Sequence, residues 1–182
     1  MVDHIIFFIF AIGNVSISCA MEIKKAEIRD WDNIVRMYKD AINKMDGIGI
    51  NQWDEIYPDS LLLKNDIEKQ QLYKITNGDI LLGAVVINRE TDEQYINGNF
   101  EDDNYAVVHR LCIHPEYQNH KIGYQAMMII EHSLKENGIS SIRLDAFSEN
   151  PFSLKMYEKL GYKNVGIAEW RKGIFYLFEK II

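Results

Sequence analysis

The chain has 182 residues, of which 47% are hydrophobic and 26% are charged, a composition typical of a folded globular protein and not of a disordered one. Its formal net charge of −7 argues against nucleic-acid binding, which requires a basic surface. The two cysteines, Cys19 and Cys112, exclude a disulfide framework and lack the spacing of zinc ligands. We therefore expect a protein of a reducing compartment, the cytoplasm, that holds no metal.

Residues 1–20 carry an apolar run at positions 5–12 that is well short of the roughly 20 residues needed to cross a bilayer. The first interpretation is an extension upstream of a natural start at Met21, because the pattern of a structured domain begins directly after it. The alternatives are an extra edge strand and a signal peptide, although Asp3 and His4 stand where a signal peptide carries Lys or Arg. We expect an extension over residues 1–20, a domain over residues 21–182 and no membrane partner.

The hydrophobic pattern predicts the chain order β-α-α-β-β-β-α-β-α-β-β. In this order the predicted elements are a strand at 22–28, helices at 31–45 and 60–70, strands at 72–76, 80–88 and 105–113, a helix at 122–137, a strand at 142–146, a helix at 151–161, and strands at 162–170 and 174–180. Asp30, Ser60 and Asn150 are the predicted helix caps. The order predicts an α/β fold with a mixed β-sheet of about seven strands and about four helices.

Alternation along the strand at 105–113 places His109 on one face with Leu111, and Arg110 on the other with Val108 and Cys112. There Arg110 could anchor the sheet through a salt bridge. Two long loops remain, one at 47–59 and a polar, acidic one at 89–104, and a loop of the second length is usually functional or mobile.

Two segments carry candidate chemistry. In residues 111–123, LCIHPEYQNHKIG, a strand runs through a short turn into a helix that begins at Ile122 and Gly123. Unpaired amides at the start of a helix bind phosphate, and Gly123 permits close approach of the backbone. The alternative is a plain strand–turn–helix connection whose glycine only permits packing. In residues 150–162, Asn150 and Tyr157 lie two helical turns apart on one face, either as functional residues or as a cap and a packing ring.

Together, and in this order, the two segments resemble the GNAT superfamily of N-acetyltransferases, and the resemblance spans residues 21–182. The acyl-CoA loop of that family reads R/Q-x-x-G-x-G/A. Here Gln118 and Gly123 match, and Lys121 replaces the first glycine. The resemblance implies a GNAT fold, acetyl-CoA as co-substrate, and transfer of the acetyl group to a primary amine of a small molecule or peptide.

The resemblance also implies a site. In that family the fourth and fifth strands splay apart. By resemblance, backbone groups at 111–113 hold the pantetheine arm and amides at 118–124 hold the pyrophosphate. The amine attacks the thioester directly, with Tyr157 as general acid. The implied cofactor-binding residues are Leu111, Cys112, Ile113, Gln118, Asn119, His120, Lys121, Ile122, Gly123, Tyr124, Asn150 and Ser153.

Several roles stay open. His109 is the candidate catalytic base because imidazole has a pKa near about 6.5; Glu116 acting through water and a core histidine are the alternatives. Trp53 and Tyr57 either form a substrate-binding wall for a cationic amine or pack under their loop. The acidic loop attracts cationic acceptors or keeps the protein soluble. An acyl-CoA-binding sensor or scaffold without transferase activity, an interaction protein using the apolar N-terminus, and a homodimer are further hypotheses.

Overall fold

A computed structural model describes residues 21–182, so the predicted extension at 1–20 lies outside the described residues. The strands are β1 (Met21–Lys25), β2 (Leu72–Asn77), β3 (Ile80–Asn88), β4 (Tyr105–Ile113), β5 (Ser141–Phe147), β6 (Lys163–Trp170) and β7 (Gly173–Ile181). The α-helices are α1 (Trp31–Asp46), α2 (Ser60–Glu68), α3 (Ile122–Glu136) and α4 (Pro151–Leu160). This order confirms the predicted α/β class. None of the helices within residues 21–182 has the length and apolarity that crossing a bilayer requires.

The seven strands of the described chain form one mixed sheet in the order β1-β2-β3-β4-β5-β7-β6. Its one parallel pair, β4 and β5, joins only Tyr105–Val108 to Ser141–Leu144. Beyond these residues β5 continues along β7 as far as Phe147. The two central strands therefore separate after residue 108 and open a gap in the middle of the sheet, as the family resemblance implied.

Helices cover both faces of the sheet. On one face, α3 and α4 pack on the central strands through a buried cluster that includes Met127, Ile130, Ile142 and Leu144. On the other face, α1 and α2 pack on β2, β3 and the end of β4. A smaller cluster around Tyr95 seats the short 3-10 turn Glu93–Asn97 of the acidic loop on β4, β6 and β7. Side chains in the central strands consequently have little access to solvent on either face.

One of the three predicted caps is wrong, and a second lies at the predicted position without making a capping bond. Ser60 is the first residue of α2, and Asp59 is its cap, accepting a hydrogen bond of 2.7 Å from the amide of Leu62. Asp30 makes no capping bond to α1, because its carboxylate accepts from the amide of Glu27 and from Lys74 on β2. The third prediction is confirmed: Asn150 caps α4.

A bulge interrupts β4. Arg110 has a φ of 52°, and the register of β4 against β3 shifts between Ala84 and Val86. Val108 and Leu111 therefore both pack on the side of α3, whereas Cys112 packs on the side of α1 and α2. The predicted alternation, with His109 beside Leu111 and Val108 beside Cys112, is wrong, because the extra residue of a bulge reverses the faces beyond it.

Candidate active site

A cleft of about 1600 Å³ runs through the gap between β4 and β5. Most of the predicted site residues line it: Trp53, Tyr57, His109, Leu111, Cys112, Ile113, Gln118, Asn119, Lys121, Ile122, Gly123, Tyr124, Asn150, Ser153 and Tyr157. His120 and the alternative base Glu116 do not line it. One end of the cleft is formed by the loop before α3 and the start of α4. The other end lies between the loop at 47–59, the start of the acidic loop, and the turn between β6 and β7.

The loop before α3 leaves a row of amides available. Asn119 and Lys121 have φ angles of 69° and 61°, and Lys121 is the N-cap of α3 without a side-chain capping bond. Within residues 21–182, no backbone N–H from 118 to 124 donates to a protein acceptor; the first that does is that of Gln125, 3.0 Å from the carbonyl of Lys121. Free amides at the positive end of a helix form an anion site.

Gly123 has a packing role in this structure. A Cβ at this position would lie 3.2 Å from Sδ of Met156 on α4 and 3.5 Å from Cγ1 of Ile113 on β4. The first distance is tighter than an ordinary contact. Glycine therefore allows α3 to approach both neighbours closely, which supports the packing interpretation of this residue.

Asn150 and Ser153 are occupied by local hydrogen bonds. The Oδ1 atom of Asn150 accepts from the amides of Phe152 and Ser153, each at 3.2 Å, and the Ser153 hydroxyl donates to the Asn150 carbonyl. The Nδ2 group of Asn150 donates to Oε1 of Gln52 at 2.7 Å. Asn150 thus caps α4 and ties it to the loop at 47–59.

Tyr157 is a buried residue of α4 that lines the cleft. Its ring is buried against Tyr162 and Phe178, with ring centroids 5.5 Å and 6.1 Å away. The hydroxyl makes no hydrogen bond to any residue in the described range 21–182, although it lines the cleft. Burial first, and then the nearby Asp145 carboxylate, raise the pKa of Tyr157 above its usual value. The side chain is therefore a neutral phenol that can donate its proton into the cleft.

His109 is held on the wall of the cleft by its Nε2 atom, which lies 3.0 Å from Oδ1 of Asn88 and 3.1 Å from the carbonyl of Glu90. Both partners are acceptors, so Nε2 carries the proton and Nδ1 is the basic nitrogen. Burial and the neighbouring Arg110 lower the pKa of the imidazole to about 4. The ring is therefore neutral at physiological pH.

Arg110 ties the bulge of β4 to α1, α2 and the loop at 47–59. Its Nη2 group donates to Oδ2 of Asp66 at 2.8 Å, and both side chains are nearly buried. Its Nη1 group donates to the hydroxyl of Tyr57 at 3.0 Å, and its carbonyl accepts from Tyr38 at 2.6 Å. The expected salt bridge is present, and it supports the backbone where β4 leaves β5.

The two aromatic residues of the loop at 47–59 differ in their surroundings. Trp53 is buried and packs on Tyr38, with ring centroids 5.6 Å apart, while one part of it lines the cleft. Tyr57 is more exposed and lines the cleft beside Arg110. Core packing and a cleft wall are therefore both present in Trp53, whereas Tyr57 belongs mainly to the wall.

Asp145 is the cleft residue that the sequence analysis missed. It lies on β5, lines the cleft, and accepts a 2.9 Å hydrogen bond from the hydroxyl of Tyr95. Burial raises the pKa of this carboxyl group to about 6, and the bond from Tyr95 only partly offsets the increase. No local sequence signal marks it, because the residue that meets it, Tyr95, lies 50 residues earlier in the acidic loop.

No group of three or more His, Cys, Asp and Glu side chains within residues 21–182 is arranged to hold a metal ion. The cleft brings together backbone amides, a neutral phenol and the carboxylate of Asp145. These groups suit acyl transfer between two bound substrates.

Comparison with known proteins decides the family. The model of the acetyltransferase (GNAT) family matches residues 35–162, most of the chain. The chain belongs to the GNAT family. It is an acetyl-CoA-dependent N-acetyltransferase, as the two sequence segments predicted.

Relatives agree with this assignment. A spermidine N(1)-acetyltransferase of Thermoplasma acidophilum is 26% identical over 164 residues, covering 88% of this chain and 97% of the relative. A GNAT acetyltransferase structure from Streptococcus agalactiae 2603 has a TM-score of 0.77 at 21% identity and covers 89% of this chain and 95% of its own. The PaiA N-acetyltransferase of Thermoplasma acidophilum, solved in complex with coenzyme A, has a TM-score of 0.66 at 22% identity and covers 89% and 99%. The two structures share the fold of this GNAT protein.

Proposed function

We propose that this protein transfers the acetyl group of acetyl-CoA to the primary amine of a small molecule by direct attack, with Tyr157 as general acid. The observation that carries the proposal is the presence in one cleft of the loop at 118–124, of which all residues except His120 line it, and of Tyr157. Within residues 21–182, neither the amides of this loop nor the Tyr157 hydroxyl donates to a protein acceptor. An anion site at one end and a proton donor beyond it match a nucleotide thioester whose thiol leaves as a thiolate.

The amides at 118–124 hold the pyrophosphate of acetyl-CoA in this proposal. Seven consecutive donors are available there at the positive end of the fifteen-residue helix α3. The pantetheine arm follows the backbone of residues 111–113, which β5 no longer pairs because the β4–β5 ladder ends at Val108. In this proposal an amide of this segment stabilises the oxyanion, a contribution of about 3 kcal/mol for one such donor.

Asp145, and not His109, takes up the proton of the acceptor ammonium in this proposal. The reacting amine enters as an ammonium, gives one proton to the Asp145 carboxylate, and attacks the thioester carbonyl with the lone pair so exposed. The carbon–sulfur bond then breaks, and the thiolate takes the proton of Tyr157; the new amide nitrogen returns a proton to the phenolate. Asp145 suits the first step because a pKa of about 6 keeps it ionised yet basic at neutral pH.

His109 is the weaker candidate because burial and the neighbouring Arg110 lower its pKa to about 4, which makes the imidazole a poor proton acceptor. The two assignments differ in a measurable way. If Asp145 is the base, the acidic limb of kcat/KM for the amine falls near pH 6; if His109 is the base, the limb falls near pH 4.

The acceptor is a cationic aliphatic amine in this proposal. Asp145, Asp92 and Glu90 line the end of the cleft that carries the faces of Tyr57 and Trp170, and both carboxylates and aromatic faces attract an ammonium group. The relative that acts on spermidine supports polyamines as the first acceptors to test.

The test combines calorimetry with a thiol-release assay. Titration with acetyl-CoA measures binding, and release of coenzyme A is followed over a panel of diamines, polyamines, amino acids and peptides. We expect binding together with release on at least one aliphatic amine. Binding without release on every amine would favour the acyl-CoA-binding sensor instead, and absence of binding would refute both functions.

A further inference from the structure

The loop at 47–59 and the hairpin between β6 and β7 are joined by a cluster of charges. The Nη2 group of Arg171 lies 2.7 Å from each carboxylate oxygen of Asp54, and Nζ of Lys172 lies 3.3 Å from one of them. We call these three residues the clasp. The Asp54 side chain is 17% exposed, so its partners cover most of it, although Arg171 itself is half exposed.

The clasp bridges the two sides of the gap in the sheet. On one side, Tyr57 of the loop accepts a hydrogen bond from Arg110 of β4. On the other, Phe175 of the hairpin pairs with Phe147 of β5, with their rings 5.1 Å apart. Because β4 and β5 diverge at this place, a contact between loop and hairpin spans the opening at its acceptor end.

The loop that carries Asp54 is well fixed. The Asp54 carboxylate also accepts from the amides of Ile56 and Tyr57, at 3.0 Å and 3.1 Å, which closes a tight turn. Gln52, two residues earlier, is bonded to Asn150 at the start of α4. The loop is therefore held at α4, at β4 and at the hairpin.

The inner side of this bridge is aromatic. Trp53 and Tyr57 flank Asp54 on the loop, Trp170 and Phe175 flank the clasp cations on the hairpin, and all four line the cleft. Asp54 itself is not part of the lining. Arg171 and Lys172 line the cleft as well, so the clasp forms the rim of this aromatic pocket. There it occupies the route by which a longer acceptor would leave the pocket.

This inference rests on the proposed function: we propose that the clasp restricts the acceptor to a slender amine that is free in solution. It excludes the same amine when that amine is attached to the end of a polypeptide. A small amine fits entirely inside the aromatic pocket, whereas a peptide chain would have to continue outward between the loop at 47–59 and the β6–β7 hairpin. Such exclusion by an obstructing contact is a common source of specificity.

The clasp responds to salt and not to pH. Slight burial raises the pKa of Asp54, but the hydrogen bonds from Arg171, from the two loop amides and from Lys172 outweigh it and lower the pKa to about 2. The carboxylate is therefore ionised at every pH at which the enzyme works. Salt weakens the pair because Arg171 is solvent-exposed.

The experiment uses one amine in two forms: the best aliphatic acceptor free in solution, and the same aminoalkyl group attached to the carboxyl end of an N-acetylated heptapeptide. Asp54→Asn removes the charge of the clasp but keeps an oxygen to accept from the loop amides. Glu55→Gln, at the adjacent exposed position, is the matched control for charge. We expect the wild-type kcat/KM to be about 100-fold lower for the peptide form. Asp54→Asn should reduce this ratio at least about fivefold and Glu55→Gln should leave it unchanged.

Two results overturn the proposal: equal kcat/KM for both forms in the wild type, or the same ratio in Asp54→Asn as in the wild type. If no amine releases thiol, the proposed function fails, and hydrogen exchange of residues 52–57 still tests the clasp. Exchange should then be about fivefold faster in Asp54→Asn than in Glu55→Gln. Equal exchange in the two variants refutes the clasp without reference to activity.

Discussion

Replacing Asp145 by Asn should make the protein more stable and less active at once. The Asn side chain keeps the size of Asp and retains an oxygen to accept the 2.9 Å bond from Tyr95. What it removes is a charge that burial disfavours in the folded state. Because the proposed chemistry needs that charge, stability and activity should change in opposite directions.

The expected size follows from the pKa of Asp145. Its rise from 3.8 to about 6 means that the folded protein binds the proton more tightly than the unfolded chain does. Stability therefore falls as the pH rises through the interval between these two values and stays low above it. The full penalty is at most about 3 kcal/mol, and water in the cleft reduces it, so Asp145→Asn should gain about 1–3 kcal/mol at pH 8 and roughly half as much at pH 5.

Urea denaturation of both proteins at pH 5 and pH 8 measures the gain, and Glu149→Gln, at an exposed position nearby, controls for a general change in charge. The kcat/KM for the amine should fall by at least about 100-fold, the contribution typical of a general base. A variant less stable than the wild type at pH 8, or a gain in stability that does not depend on pH, would show that the ionised Asp145 carboxylate does not destabilise the folded protein. A gain in stability with full activity would remove Asp145 from the mechanism.

Three other substitutions test the site. Tyr157→Phe should lower turnover by about 100-fold and leave the Kd for acetyl-CoA nearly unchanged by calorimetry, with Tyr105→Phe, outside the cleft, as control; unchanged turnover would exclude Tyr157 as the acid. Gly123→Glu should abolish acetyl-CoA binding because the new carboxylate would meet the pyrophosphate. Gly123→Ala is the control, which measures only the smaller effect of crowding Met156. Binding of acetyl-CoA by Gly123→Glu would contradict the placement of the pyrophosphate at this loop. Asp66→Ala should cost about 3–5 kcal/mol in urea denaturation because it leaves Arg110 buried without its partner, and a cost below about 1 kcal/mol would argue against the ion pair.

Elements whose signals are local were predictable from the sequence. α4 begins with Asn150 and Pro151 and ends at Gly161, and the structure shows the capping bonds at the start and a φ of 86° at the end. Each of these signals depends only on residues within one helical turn. The order of strands and helices along the chain followed in the same way, because alternating and helical periods are properties of short windows.

The outcome at the first two caps depended on a distant partner or on a choice between neighbours. Asp30 lies at the start of α1, but Lys74, on a strand 44 residues later, holds its carboxylate. Asp59 and Ser60 are both good capping residues, and the backbone selects Asp59 because it adopts the extended conformation that a cap requires. Neither outcome is encoded in a short window of sequence.

Hydrophobic periodicity could not predict the β4 bulge or the position of Asp145, for a related reason. Arg110 adopts a left-handed φ because Asp66, Tyr57 and Tyr38, from three other segments, bind its two ends. Asp145 lies on the face of β5 that meets Tyr95 of the acidic loop, 50 residues earlier in the sequence. The cleft thus depends on residues that bring distant elements together, whereas its scaffold depends on local pattern.

Lys121 departs from the family motif in sequence, but its backbone adopts a conformation typical of glycine. The family pattern has glycine at this position, and the structure gives Lys121 a φ of 61°, in the left-handed region that glycine enters most readily. This conformation costs a lysine about 1 kcal/mol, but within residues 21–182 its amide, like those on either side, donates to no protein acceptor. The loop binds an anion through its row of backbone amides, and the Lys121 side chain is not one of these donors. The substitution therefore alters the stability of the loop more than its capacity to bind phosphate, and the ammonium group of Lys121 adds a charge of the favourable sign at the cleft.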